Sequence, residues 1–502
     1  MNSTTTRNPS PANPSEYGQP SPSIELANGG IAAETGAMDG QIAAEAIATV
    51  ASSQATPTKR KGNPLINRNF ALLWSGQAIS ILGDMVFTTT LVIWIATQLA
   101  RGQSWAPLAV TGVLLAASVP AFLVGPFAGV FVDRMDKRRM MLRMDGFRAL
   151  IVGALILATG AVALPFLPGG RLPILWTLGA IYAVVTLVNI ADQFFRPAMM
   201  ALIGDIVQPD ARARAMGLGQ VSISLSLIIG PALAAPLFVV FGAQWALLID
   251  MLSFVVSFLT ILAIRAPKAA TSLAEGEQAN FLREFGAGLR FYAHSRVLMT
   301  LLVTVIIAVL GAGALNTLDV FFATGNLHAS VSLYGLLGAL SGVGAIVGAI
   351  LASVFAQRIG VARLLWGSLL ALGVLFIVVS RMTNYVPALV IFALVGVFNA
   401  SLNVAAGPLM LQATPRELLG RVNSVFSPAM NAGILLGTAL AGYLDGVTLH
   451  GLHVVALGMA FGPVDTIYGA SGILIALSAI VAAMGLRGVD RAARAQANTP
   501  TA

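Results

Sequence analysis

The sequence has no cysteine, four lysines and four histidines among 502 residues, and only 10% of its residues are charged. The missing cysteines exclude a disulfide framework, thiolate metal sites and a cysteine nucleophile. None of the four lysines follows a glycine, so no Gly-x-x-x-x-Gly-Lys loop is present to cradle nucleotide phosphates, and this chain alone does not run on ATP. So few polar groups leave little room for a large hydrophilic active site. Charge at 10% also falls far below the roughly 25% of a soluble domain, so most of the surface must meet something other than water. What is abundant is apolar: 57% of the residues, with a mean hydropathy of +0.83.

Residues 1–67 differ in kind from the rest. They are rich in Ser, Thr, Pro, Asn, Gly and Ala, hold no apolar run long enough for a signal-peptide core, and are expected to form a disordered tail with at most a short helix over 41–51. From Phe70 onward, apolar runs of about 20 to 30 residues alternate with short polar breaks, and each run can cross a ~30 Å hydrocarbon core as a helix. Twelve are expected: 70–99, 107–132, 145–166, 172–196, 213–241, 243–265, 297–324, 332–357, 362–380, 385–412, 418–446 and 466–486. The break at 266–296 separates six spans in 68–265 from six in 297–487. The expected fold is therefore all-α and integral to the membrane, a duplicated pair of six-helix halves followed by a short tail, 488–502. Within the linker, Phe281, Phe285, Leu289 and Tyr292 fall on one helical stripe, which predicts an amphipathic helix at the membrane surface.

Orientation follows from Lys and Arg. With the N-terminal tail inside, 25 basic residues fall in cytoplasmic segments, and only Arg101, Arg171 and Arg381 fall on the opposite side. Both termini are expected in the cytoplasm of a cell whose inner (plasma) membrane holds the chain. The same spread, over seven separate segments, argues against a nucleic-acid face despite the net charge of +8.

Two patterns recur every third span. Gly-x-x-x-Gly pairs lie on the second span (Gly125, Gly129), the eighth (Gly338, Gly342 and Gly344, Gly348) and the eleventh (Gly433, Gly437 and Gly442, Gly446), while the fifth carries Gly230-Pro231. Such glycines let helices approach closely, and the Gly-Pro step is expected to bend its helix. Spans one, four, seven and ten carry most of the polar residues: Ser80, Asp84 and Thr88; Asn189, Asp192 and Gln193; Asn316, Thr317 and Asp319; Asn399, Ser401 and Asn403. A carboxylate in hydrocarbon costs about 2.5–3.5 kcal/mol on insertion scales, so these faces should line a water-filled cavity or meet partners. Asp250, on the sixth span, stands outside the pattern.

Residues 129–139 read Gly-Val-Phe-Val-Asp-Arg-Met-Asp-Lys-Arg-Arg, which resembles the Gly-x-x-x-Asp-Arg-x-Gly-Arg-Arg signature of the major facilitator superfamily, with Asp136 where that pattern has glycine. With Asp145 and Arg148 following, and with Asn67 to Trp74, Gly83-Asp84 and Phe195-Arg-Pro-Ala198, the chain is similar to the macrolide-efflux and enterobactin-exporter branch over about residues 64–487. The resemblance implies that Gly129, Asp133, Arg134, Arg138 and Arg139 form a conformational gate. Gly230-Pro231-Ala-Leu-Ala-Ala235 resembles the superfamily's antiporter motif, with alanines for its last two glycines, and implies export. The fourth-helix motif with a buried arginine is missing, since Arg196 falls at the end of its span.

Together these features point to a secondary transporter, not an enzyme, that exports a bulky, largely apolar small molecule against protons as a monomer in the lipid bilayer. No cofactor or metal is expected; His450 and His453 read as a loop. Asp84, near the midplane, is the expected coupling residue, with Asp192 and Asp319 as alternates and Trp74, Phe87, Trp94, Tyr182 and Phe194 as aromatic surface for the substrate. Proton-coupled uptake is the alternative within transport, and a membrane enzyme or lipid scramblase the alternative outside it.

Overall fold

Long apolar runs leave the backbone no partner but itself, and in hydrocarbon only a helix satisfies every N–H and C=O within one segment. The computed structural model accordingly is almost wholly helical. It describes residues 66–159, 172–265, 281–415, 418–451, 454–456 and 459–487. The expected tail helix, both terminal tails, Arg171, Lys268, Arg416 and His453 lie outside the described residues. In chain order the helices are α1 (Arg68–Trp94), α2 (Ala106–Leu123), α3 (Gly125–Asp133), α4 (Lys137–Ala158), α5 (Ile174–Ile206), α6 (Arg212–Phe241) and α7 (Ala243–Ala263). They continue as α8 (Phe281–His294), α9 (Arg296–Phe321), α10 (Val331–Ile359), α11 (Val361–Val379), α12 (Tyr385–Ala413), α13 (Leu419–Tyr443) and α14 (Pro463–Gly485). Helices α1 and α9 each run on into one wide turn of five residues, Ile95–Leu99 and Phe322–Asn326, at matching places in the two halves.

Eleven of the described helices are long and apolar enough to cross a membrane. The expected third span is not among them. Its helix, α4, begins at Lys137 instead of 145 and carries Arg143, Asp145 and Arg148 through its first half, while 160–166 lie outside the described residues. The second span is two helices, because Pro126 lacks the N–H that would continue the ladder, and Gly125 opens the second piece. Between α13 and α14 a small antiparallel hairpin, Val454–Ala456 with Met459–Phe461, stands where only a loop was expected.

Each half has the same internal wiring. In the first, α1 packs on α6 and α7, α4 on α5 and α7, and α2 on α5; in the second, α9 packs on α13 and α14, α11 on α12 and α14, and α10 on α12. Linker helix α8 lies on α13, with Tyr292 buried among Leu298, Val422, Val425 and Phe426, and burial there pushes the Tyr292 hydroxyl up. Leu289 of the same predicted stripe is about half exposed.

The halves meet through α6 against α10 and α2 against α13. A methyl group on Gly335 would stand 1.9 Å from the Pro231 carbonyl oxygen, and one on Gly442 would stand 1.9 Å from Thr111 Oγ1. Gly342 against Ile228 and Gly446 against Leu108 extend the two seams. Two other pairs serve packing within the second half: Gly344 and Gly348 face Ala393 and Val397, and Gly433 and Gly437 face Val309 and Leu310; Gly125 lies beside Gln193 in the first half. The recurrence at every third span thus has a spatial meaning, since these are the helices that join the halves. The seams run from the end opposite the basic loops to about the middle of the helices. Helix α6 is continuous through Gly230-Pro231.

Candidate functional site

Four helices of the first half bring ionisable side chains into one interior. Asp84 lies in the middle of α1, Asp145 and Arg148 on α4, Asp192 and Arg196 on α5, and Asp250 on α7. Arg148 Nη2 donates to Asp192 Oδ1 at 2.7 Å, and Arg196 Nε donates to Asp192 Oδ2 at 2.5 Å, so one carboxylate holds two guanidinium groups. Arg148 Nη1 lies 3.9 Å from Asp145 Oδ1, while Ser257 Oγ on α7 donates to Asp145 Oδ2 at 2.6 Å. The Arg148 guanidinium also lies 5.0 Å from the Phe195 ring centre and 5.4 Å from that of Phe254, a setting in which ring faces favour a desolvated cation. Arg148 and Asp145 are 3% and 0% exposed, so this charge is buried within the helix bundle, and Arg148 leaves the set of basic loop residues used for orientation.

Asp250 is wholly buried, and neither of its carboxyl oxygens has a hydrogen-bond partner. Its Oδ1 faces the backbone of Gly83, where a methyl group would stand 3.1 Å away. Its electrostatic neighbours are Asp84 and Arg148, and those of Asp84 are Arg148, Asp192, Arg196 and Asp145. The cluster therefore holds four carboxyl groups and two guanidinium groups, with Asp145 and Asp192 taking up both cations. Asp192 and Arg196 open onto a cavity of about 30 Å3, room for a few waters, that is shared with α2 and with α13 of the other half and includes Asn189, Gln193 and Asn431.

The second half shows what the fold alone requires at these places. Shifted by 224 residues, the buried positions Met141, Asp145, Arg148, Val152 and Leu155 of α4 coincide with Leu365, Leu369, Leu372, Phe376 and Val379 of α11. A shift of 221 carries Asp250 and Ser257 of α7 onto Ser471 and Ser478 of α14. Aligning Pro197 with Pro408 sets Asp192 and Arg196 against Asn403 and Gly407, and aligning the first residues of α1 and α9 sets Asp84 against Ala312. All six charges have uncharged counterparts in a bundle with the same helix-to-helix contacts. Packing does not call for them.

Other expected residues fall elsewhere. Asp319 sits at the far end of α9 and accepts from the Tyr468 hydroxyl, whose ring stacks on Phe322 at 4.4 Å, so it forms no part of the cluster. Asn403 donates to Asn399 at 3.1 Å along α12; Asn399 and Asn316 are exposed. Phe87 and Trp94 are buried in the core of the first half, Tyr182 donates to the Ala109 carbonyl, and Trp74 donates to that of Leu218. The aromatic set is largely structural in this conformation.

In the loop from α3 to α4, Asp136 caps α4 by accepting from the Arg139 N–H at 2.7 Å, which explains an acid where the signature has glycine. Arg138 donates to the carbonyls of Ile261 and Leu262 at 3.1 and 2.6 Å, closing the C-terminus of α7 in its own half. Arg134 and Arg139 are exposed; the side chain of Asp133, the last residue of α3, lies outside what the structure describes. Among the described residues no group of acids and histidines is placed to hold a metal.

Comparison with known proteins adds the family. The model of the transmembrane secretion effector family matches residues 61–485. Macrolide efflux protein A of Streptococcus pyogenes is 23% identical over 74% of this chain and 89% of its own length. The multidrug efflux pump Tap of Mycolicibacterium fortuitum is 25% identical over 80% and 94%. The crystal structure of the nucleoside transporter NupG superposes with a TM-score of 0.62 at 12% identity, covering 84% of this chain and 99% of that one, a likeness of fold. A bundle of apolar helices wired twice over, a signature loop at one end and a family match across nearly all of the described chain agree: this multi-pass membrane protein belongs to the transmembrane secretion effector family, as a transporter of the major facilitator superfamily in its macrolide-efflux branch and not an enzyme.

Proposed function

We propose that the chain is a proton-coupled exporter of a bulky, largely apolar small molecule, working by alternating access in the plasma membrane with its basic loops and both termini in the cytoplasm. One observation carries the coupling: six ionisable residues occupy the first half where the second half packs Ala312, Leu369, Leu372, Asn403, Gly407 and Ser471. Charge inside the bundle that the architecture does not need is charge kept for work, and for the buried members, Asp145, Arg148 and Asp250, each ion costs several kcal/mol to desolvate. Export is supported by relatives named for macrolide and multidrug efflux. The seams through Gly335 and Gly442 then close the outer side, and the Asp192 cavity shared by both halves is where substrate and proton meet.

Asp84 is the coupling carboxylate in this reading. It is partly exposed at mid-helix and belongs to the charged cluster, so it can exchange a proton with water in one state and with a neighbour in the other. Asp133, with Gly129, Arg134, Arg138 and Arg139, forms the gate at the cytoplasmic end. The test is efflux from proteoliposomes under an imposed pH gradient. Asp84→Asn should abolish gradient-driven movement and leave energy-independent exchange; full gradient-driven movement by the variant refutes the assignment.

A further inference from the structure

The charge count of the cluster is unbalanced, and the imbalance has an address. Asp145 and Asp192 take up Arg148 and Arg196, which leaves Asp84 and Asp250 without a cation of their own. Asp250 is the more extreme of the two: no part of it is exposed, and neither oxygen accepts or donates a hydrogen bond. An ionised carboxylate so placed costs several kcal/mol, whereas a carboxylic acid costs far less. The helices packed on α7 are α1, α4 and α6. The ionisable groups they turn toward Asp250 are Asp84 from α1 and Arg148 from α4; α6 carries none beyond Arg212 and Arg214 in its first turn.

We infer that Asp250 is the proton-storage site of this transporter, with Asp84 the port through which its proton comes and goes. The inference rests on the proton-coupled reading above and goes beyond it, because it moves the resting proton from the residue that sees water to one that does not. A proton from water first neutralises the Asp84 carboxylate. It then passes to Asp250, so that Asp250 becomes a carboxylic acid and Asp84 is again an anion, free to meet a cationic group of the substrate or the next proton. Asp250 faces Gly83, the residue next to Asp84, and lies within electrostatic reach of the Asp84 carboxyl; two carboxyl groups so placed cannot both be ionised cheaply, so the pair holds one proton in the resting state. Gly83 makes the arrangement possible, since a side chain there would collide with Ser253 and crowd Asp250, pushing α1 away from α7. Arg148, whose Nε has no partner, lies within electrostatic reach of both acids and sets the return step: when it turns from Asp192 toward Asp250, the stored proton is released.

The test uses the full chain in lipid nanodiscs and infrared difference spectra at neutral pH, wild type minus variant. Asp250→Asn and Asp250→Ser should each remove a carboxylic-acid C=O band present in the wild type, whereas Asp84→Asn should retain it. The serine variant guards against misfolding, because Ser471 occupies the equivalent place in the second half. If both Asp250 variants keep the band, Asp250 stores no proton and the inference fails. In proteoliposomes loaded with erythromycin, Asp250→Ser should lower efflux driven by a pH gradient by about tenfold or more while exchange without a gradient persists; undiminished gradient-driven efflux would likewise overturn it. If the wild type itself moves no erythromycin under a gradient, that result counts against the export reading, and the infrared outcome still decides Asp250.

Discussion

Replacing Arg148 by leucine should be far more damaging than replacing Arg148 and Asp145 together. The single change removes the 2.7 Å hydrogen bond to Asp192 and the nearby positive charge at Asp145, and it leaves the Asp145 carboxylate fully buried with only the Ser257 hydroxyl for company. Breaking one side of a buried ion pair costs about 3–5 kcal/mol, because the remaining charge stays desolvated. The double change Asp145→Leu with Arg148→Leu reproduces the Leu369 and Leu372 arrangement of the second half. Asp192 keeps Arg196, and Ser257 is free to bond to a carbonyl of its own helix, as Ser478 does to Ile475 at 2.7 Å. The double variant should therefore lie within about 1–2 kcal/mol of the wild type, as apolar replacements of buried ion pairs commonly do. Unfolding of the purified protein in mixed micelles measures both, and a double-mutant cycle isolates the interaction. The double variant should fold and yet show no gradient-driven transport. If it is as unstable as Arg148→Leu, the charges are structural and the comparison between halves misleads. If it transports normally, coupling lies elsewhere.

Gly335→Ala sets a methyl group against the Pro231 carbonyl and should wedge the α6–α10 seam open, read as increased labelling of a cysteine placed at Ile228 in the naturally cysteine-free chain. Labelling no greater than in the Ile228→Cys parent would remove the seam from the gating argument. Arg138→Ala should cost about 1–2 kcal/mol in thermal unfolding through the lost charged bonds to Ile261 and Leu262, reduced by their partial exposure; no loss at all means water replaces them fully. Asp133→Asn should leave the protein inserted but change the accessibility of cysteines on the two sides, and unchanged accessibility with unchanged transport removes the gate. Reporter fusions after residues 62, 280 and 495 should read cytoplasmic and those at 103 and 455 external; an external reading at 280 would break the orientation.

Sequence reasoning located the spans well because hydropathy is a local sum, and twenty apolar neighbours need no knowledge of the rest of the chain. The helix ends in the structure lie within a few residues of expectation at α6, α7, α9, α10 and α12. It failed where chemistry depends on depth. Arg148 lies five residues beyond Arg143, so linear counting merged it with the basic loop, although Met141, Asp145, Arg148 and Val152 already follow a helical stripe. Aligning the halves by their buried positions would have exposed it, since the same stripe in α11 is entirely apolar. Asp250 was visible as an exception, but its nearness to Asp84 was not, because it arises from α1 packing on α7 across more than 150 residues of chain. The superfamily signature pointed to a gate, and the structure gives two of its residues local duties: Asp136 caps one helix and Arg138 closes another.

The charge on α4 also bears on how the chain is made. A nascent helix is judged for membrane entry largely on its own apolarity, and one arginine or aspartate at its centre counts about 2.5–3.5 kcal/mol against it. Helix α4 carries such charge in its first half, with Asp145 and Arg148 twelve residues or fewer from its start. What makes its burial tolerable is Asp192, which the ribosome supplies one helix later. Insertion of the third span should therefore be helped by the fourth, the later completing the earlier. In the second half, where Leu369 and Leu372 stand instead, no buried charge ties the ninth span to the tenth in this way.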